Sequence, residues 1–112
     1  MKTRTAFVSN SSSSSFIITN KSGESKSLLD FVVENIHLIK AFNDYYYADE
    51  KHLDVLRDAE KDSGPQDFPP GVSVEMVFGD EQGTSLGRVY DYILRDGGDS
   101  ENFSWYFNEA LR

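Results

Sequence analysis

Serine hydroxyl groups are concentrated in one short stretch of this sequence. They belong to a run of small polar residues between two short apolar segments: Ser9, Asn10, Ser11, Ser12, Ser13, Ser14 and Ser15. Such a run could be a substrate for modification, since each phosphate adds up to about −2 charge. It could also bind an anion through hydroxyls and backbone amides, or dock on a protein partner. The structural alternative is a loop or strand whose small side chains allow close packing, and composition alone leaves all four open.

Two histidines and two acidic loops are the other groups in the sequence that could catalyse a reaction or bind a metal ion. His37 and His52 share no motif, and neither has a neighbouring nucleophile in the sequence, so we interpret them as surface residues. The acidic loops at 79–81 and 96–101 flank one predicted helix. They should lie roughly 16 Å apart and therefore cannot share one ion. We predict no catalytic residue, no metal ligand and no cofactor.

Tyr45, Tyr46 and Tyr47 form a second candidate interaction site. Three consecutive side chains cannot all turn toward one core, so at least one of these rings should be exposed. Exposed tyrosines are favoured anchors in protein interfaces. Base stacking is the weaker interpretation because the chain is acidic, whereas proteins that stack nucleic acid bases combine aromatic rings with a basic groove.

The 112-residue chain has a formal net charge of −8 and no cysteine. This charge argues against binding to nucleic acid or to an anionic membrane, because both need a basic face. No apolar run approaches the roughly 20 residues that span a bilayer. Without cysteine, the sequence offers no disulfide framework and no thiol nucleophile. We expect a cytoplasmic protein.

The periodicity of apolar residues predicts the element order β-α-α-β-α-β in a single domain over residues 1–112. Residues 1–20 would form the serine-rich segment and the first strand. Another strand is predicted at 72–78, and the helices at 28–42, at 49–62 and from Thr84 or Ser85 to Gly97. The tail at 103–111 fits either a strand or a helix, and a strand through Phe107 is favoured because four aromatic residues in five suit a sheet better. This order indicates an α+β or α/β fold with a small three- or four-stranded sheet. If the last two strands pair through the third helix, they are parallel.

The first helix is predicted to be the central packing element. Ser27 and Asp30 have the spacing of an N-terminal capping box. Apolar residues fill more than half of the helix circumference, which indicates a helix covered on more than one side. Four of them are expected to be nearly fully buried: Val32, Val33, Ile36 and Ile39.

The serine run is predicted to be ordered, because the apolar residues on either side can anchor both of its ends. In a largely parallel sheet, the run would lie at the same edge as the loop before the last strand. Its hydroxyls are expected to bond locally or to acidic turn residues, and in that arrangement they could donate to Asp96, Asp99 or Glu101.

The N-terminal string carries one resemblance. Lys2, Arg4 and the segment Phe-Val-Ser-Asn-Ser-Ser-Ser-Ser-Ser-Phe at 7–16 resemble the opening of a group of small, mostly uncharacterised bacterial and bacteriophage proteins. The resemblance covers about the first 18 residues. It implies a prokaryotic or phage origin, and a location in the host cytoplasm or the virion if a phage encodes the protein. It brings no activity, cofactor or catalytic residue with it.

These observations favour a noncatalytic protein that binds another protein, as an accessory, regulatory or virion component. A homo-oligomer is left open. One alternative is an acidic mimic that blocks a basic nucleic-acid-binding host protein. Another is a small enzyme whose serine and carboxylate groups come together only in the folded chain, which sequence spacing does not reveal.

Overall fold

The computed structural model describes residues 13–79 and 84–111, with Leu111 described by its backbone alone. These residues form four strands and four helices: β1 (Ser13–Asn20), α1 (Leu28–Glu34), α2 (His37–Tyr46), α3 (His52–Asp62), β2 (Ser73–Gly79), α4 (Ser85–Ile93), β3 (Gly98–Asp99) and β4 (Phe103–Leu111). The predicted α+β class is confirmed. Several predicted features lie outside the described residues: Phe7, Val8, Ser9, Asn10, Ser11, Ser12, Asp80 and Glu81.

The strands form one sheet in the order β2-β1-β4-β3, and every described pairing is antiparallel. β1 lies between β2 and β4 and pairs with both. The parallel pairing considered for the last two predicted strands is therefore wrong. It fails because the N-terminal strand, which carries Phe16 and Ile18, takes the central position between β2 and β4.

α1 and α4 pack against one face of this sheet, and an aromatic cluster joins the helices to the strands. Phe31 of α1 is fully buried at its centre. Its ring lies 5.1 Å from Phe103 and 5.5 Å from Trp105 of β4, both edge-on. It also lies 6.1 Å from Phe68, in the loop before β2, and 6.0 Å from Tyr90 of α4. Tilted and edge-on ring pairs at such distances are favourable beyond the area that they bury.

The single helix predicted over 28–42 is divided in two at Asn35. Asn35 caps the C-terminus of α1, and its Nδ2 donates a hydrogen bond of 3.0 Å to the carbonyl of Phe31. The residue is fully buried, so its amide nitrogen is satisfied by the helix that it ends. α2 then begins at His37, with Ile36 as an N-cap that makes no side-chain capping bond.

This break decides which of the predicted core residues are buried. Val32 and Ile39 are fully buried, as predicted. The predictions for Val33 and Ile36 are wrong, because Val33 is 55% exposed and Ile36 is only partly buried. The inward stripe of α1 continues from Val32 to the polar Asn35, which leaves Val33 on the outer side of the helix.

The helix ends follow their local sequence signals closely. The capping box predicted at Ser27 and Asp30 is present in both directions. Thr84 caps α4 by accepting a bond of 2.9 Å from the N–H of Gly87. Gly97 has φ 74°, a conformation suited to glycine at the end of the α4 segment. In the described parts of the chain, no helix has the length and apolar character needed to cross a membrane.

The orientation of α1 can be tested with two adjacent valines. Val32→Ala is expected to lower the free energy of unfolding by about 2–3 kcal/mol, because it removes two methyl groups from a fully buried site and leaves a cavity. Val33→Ala is the matched control and should change it by less than about 0.5 kcal/mol, since that side chain is largely exposed. Urea denaturation followed by circular dichroism measures both. Equal losses in the two variants would contradict the described orientation.

Candidate functional site

The candidate site lies where α2 ends and the chain turns toward α3. Tyr45 and Tyr46 are the last two residues of α2, and Tyr47 follows in the left-handed conformation with φ 53°. Asn43 closes this turn with two bonds of 2.9 Å: its Nδ2 donates to the carbonyl of Glu50, and the N–H of Glu50 donates to its Oδ1. The turn therefore ends the helix at the tyrosines.

A salt bridge fastens the same turn to α4. Arg88 donates from Nε to Oε2 of Glu50 at 3.0 Å, and its Nη2 also reaches Ser85 Oγ at 3.2 Å. The hydrogen bond from Arg88 lowers the pKa of Glu50 below its ordinary 4.5, against a smaller opposing effect of burial. The turn that carries Tyr47 is thus bonded through Glu50 to both α2 and α4.

All three tyrosines reach the surface. Tyr45 is 74% exposed, Tyr46 43% and Tyr47 96%. The prediction that at least one ring of the triplet would be exposed is confirmed. A positive φ is uncommon for a residue whose side chain is as bulky as that of tyrosine. Tyr47 is therefore held outward by the turn rather than by packing of its own ring.

The tyrosines border a cleft between α2 and α4, called here the tyrosine cleft. Its volume is about 220 Å³, and it is lined by Ala41, Tyr45, Tyr46, Tyr92, Ile93 and Asp96. The Tyr46 ring lies 4.8 Å from that of Tyr45, edge-on, and 5.4 Å from that of Tyr92. Phe42, which is buried, supports the Tyr46 ring from below at 5.0 Å. The aromatic walls are consequently packed against one another and against the core.

Charged groups lie at one end of the tyrosine cleft. The Arg95 guanidinium packs over the Tyr92 ring at 4.7 Å from its centroid. It also donates to the carboxylate of the fully buried Asp91 at 3.0 Å and to the Asp91 carbonyl at 2.8 Å. Asp96 is exposed and makes no ion pair within residues 13–79 and 84–111. The negative charge of Asp91 therefore offsets the positive charge of Arg95, whereas Asp96 forms no ion pair with a described basic residue.

The phenol group of Tyr46 is neutral at physiological pH. Partial burial raises the pKa of Tyr46 above its ordinary value of 10.0, and the neighbouring Tyr45 raises it further. Arg95 opposes this effect and Asp96 adds to it, but burial is the largest cause. Tyr46 thus presents an uncharged ring and hydroxyl group to the cleft, whereas Asp96 lines the cleft with a carboxylate.

The loop that contains Asp96 is anchored at its far end by α1. Glu34 accepts hydrogen bonds from Ser100 Oγ, from the N–H of Asn102 at 2.8 Å and from Asn102 Nδ2 at 2.8 Å. Although partial burial raises the pKa of Glu34, these bonds together lower it below 4.5. The acidic loop considered for metal binding therefore has a structural role in closing the sheet against α1.

The serines lie apart from the tyrosines, in the middle of the sheet. Ser13, Ser14 and Ser15 belong to β1 and are almost fully buried, which confirms for these three the strand interpretation. Ser15 Oγ donates to Glu75 of β2 and accepts a bond of 3.0 Å from Nδ2 of Asn108 at a bulge in β4. These small side chains are therefore buried in the central strand, and the hydroxyl of Ser15 is bonded to side chains of both neighbouring strands.

The predicted bonds from serines to Asp96, Asp99 or Glu101 are wrong for the described serines. Asp99 pairs with Ser104, which lies opposite Thr19 at the other end of β1. Because β1 and β4 are antiparallel, the starts of these two strands lie at opposite ends of the sheet. The serines at the start of β1 therefore cannot reach the acidic loop before β4.

The remaining candidates do not join this site. His37 and His52 are both exposed, each as the first residue of a different helix. Within the described residues, no group of three or more acidic, histidine or cysteine side chains is arranged to hold a metal ion. Sequence reasoning missed Tyr92 as part of the site. Its signal was its position outside the apolar stripe of α4, where an aromatic ring is not needed for the core.

No family model, no curated protein and no solved structure matches this chain. The function is therefore inferred from the residues of the tyrosine cleft and its surroundings.

The salt bridge that holds the tyrosine turn should show a defined pH dependence. Glu50→Gln is expected to lower the free energy of unfolding by about 1 kcal/mol at pH 7, because it removes a partly exposed ion pair. The folded-state pKa of Glu50 is lowered, so its contribution is fully present above pH 4.5 and is lost as the pH falls through the folded value. The difference between wild type and Glu50→Gln should therefore shrink toward pH 3.

Urea denaturation between pH 3 and pH 7 measures this difference. Glu60→Gln, a change of the same kind on the exposed side of α3, is the control and should have little effect at either pH. A difference for Glu50→Gln that stays constant over this range would contradict the assigned role of its carboxylate.

Proposed function

We propose that this protein is noncatalytic and acts by binding another protein through the tyrosine cleft and the adjoining Tyr47. The observation that carries the proposal is the exposure of three consecutive tyrosines beside an open cleft of about 220 Å³. Tyrosine is enriched among the residues that dominate binding energy in interfaces, because it combines a large apolar ring with a polar hydroxyl.

The rigidity of the surface supports this role. Tyr45 and Tyr46 are on a helix whose end is fixed by Asn43 and Glu50. Tyr46 also packs against Phe42 and Tyr92. A partner that contacts these rings has little side-chain or loop entropy to remove on binding, which favours affinity.

The setting of this binding role is proposed from the N-terminal string. Its resemblance to bacterial and bacteriophage proteins supports an accessory, regulatory or virion component of prokaryotic or phage origin. The described histidines are exposed at the starts of two separate helices, which supports a binding role over a histidine-based reaction.

Affinity capture with matched variants tests the proposal. Wild type, the double variant Tyr45→Ser/Tyr47→Asn and the control Tyr106→Ser would be incubated with a lysate of the cells that natively make the protein. Tyr106 is 57% exposed, on the sheet face that does not contact the helices. We expect wild type and Tyr106→Ser to retain the same stoichiometric partner. The double variant should lose tenfold or more in affinity, since each hot-spot residue contributes more than about 1 kcal/mol.

Asn is chosen at position 47 because it tolerates the left-handed conformation. Circular dichroism and urea denaturation would confirm that the double variant is folded. A partner retained equally by the double variant, or the lack of any stoichiometric partner for the wild type, would contradict the proposed function.

A further inference from the structure

We propose that the tyrosine cleft receives an arginine side chain from a basic segment of the partner. This inference rests on the proposed function and specifies its partner: a protein that presents an exposed arginine in a positively charged stretch.

The walls of the cleft have the chemistry that attracts a cation. The faces of tyrosine rings carry negative electrostatic potential, and a guanidinium within about 6 Å of a ring centroid is attracted to them. Tyr45, Tyr46 and Tyr92 supply three such rings around one opening.

The same molecule already shows one guanidinium in this environment. Arg95 lies 4.7 Å from the centroid of the Tyr92 ring. Its charge is offset by the carboxylate of Asp91, which is fully buried and 3.0 Å away. The arrangement therefore pairs one arginine with one ring and one carboxylate. A second carboxylate, Asp96, lines the cleft beside it.

Asp96 gives the cleft its charge complementarity. Its carboxylate is exposed and makes no ion pair in the described part of the chain. The nearest basic residue on α2, Lys40, is paired with Asp44 at 2.8 Å. The chain as a whole carries a formal net charge of −8, which adds long-range attraction for a basic partner. A cation that enters the cleft thus meets one carboxylate not committed to another described group.

The size of the cleft favours a side chain over a cofactor or drug-sized ligand. Its volume of about 220 Å³ is below the roughly 300–1,000 Å³ of typical small-molecule sites. Arginine fits this setting better than lysine, because the planar guanidinium can stack on a tyrosine ring while its edge donates two hydrogen bonds to a carboxylate.

Titrations followed by amide chemical shifts test the assignment. The probe is N-acetyl-arginine N-methylamide, and its neutral isostere N-acetyl-citrulline N-methylamide is the control for shape. We expect the arginine probe to shift the amide signals of Tyr46, Tyr92 and Asp96, with affinity that falls as salt concentration rises. The citrulline probe should bind at least several-fold more weakly.

Matched variants locate the charge responsible. Asp96→Asn is expected to weaken binding of the arginine probe about two- to fivefold, the range for an exposed ion pair. Glu101→Gln removes one negative charge from an exposed position in the same loop and should leave the affinity unchanged. Equal binding of the two probes, shifts confined to other surfaces, or equal effects of the two variants would overturn the inference.

The capture assay separates this inference from the proposed function. Weaker recovery of the partner by Asp96→Asn than by Glu101→Gln supports the arginine assignment. Recovery that depends on Tyr45 and Tyr47 but not on Asp96 leaves protein binding intact and overturns the arginine assignment alone. If no partner is captured although the arginine probe binds, the proposed function fails and the chemistry of the cleft stands.

Discussion

The burial of Phe31 is the interaction on which the rest of this structure depends. Its ring meets rings from β4, from α4 and from the loop before β2, so one side chain joins segments that are far apart in the sequence. To place Phe31 there, α1 must lie across the sheet, and its inward stripe then reaches Asn35. The helix ends at that buried amide, and α2 follows as a separate helix. The tyrosines occur at the end of α2, next to α4, as a consequence of this packing.

The site combines local rigidity with an exposed aromatic surface. The Tyr46 ring is supported by Phe42, and the turn is held by Asn43, Glu50 and Arg88. Tyr45 and Tyr47 contribute little to the stability of the isolated domain, because their exposed rings bury little of their own area. They retain apolar area that a partner can bury, and the neighbouring carboxylate of Asp96 favours a partner of positive charge.

The serine run shows how one composition supports different roles. The small side chains of Ser13, Ser14 and Ser15 are almost fully buried in β1, the strand that pairs with both β2 and β4. The hydroxyl of Ser15 is used within the sheet by Glu75 and Asn108. For these residues, packing in a central strand is a sufficient explanation of the composition.

Local signals in the sequence determined the capping box at Ser27, the α+β class and the exposure of at least one ring of the tyrosine triplet, because each depends on neighbours in the chain. The same signals left the cap of α4 open between Thr84 and Ser85, and they favoured a strand over a helix in the last segment. Only the tertiary structure decided that β1 is central, that Val33 faces outward and that Tyr92 and Asp96 meet Tyr46. These features depend on which distant segments pair and on where Asn35 divides a helix. Apolar periodicity reports that a residue can be buried. It does not identify the segment that buries it, because many pairings satisfy the same pattern.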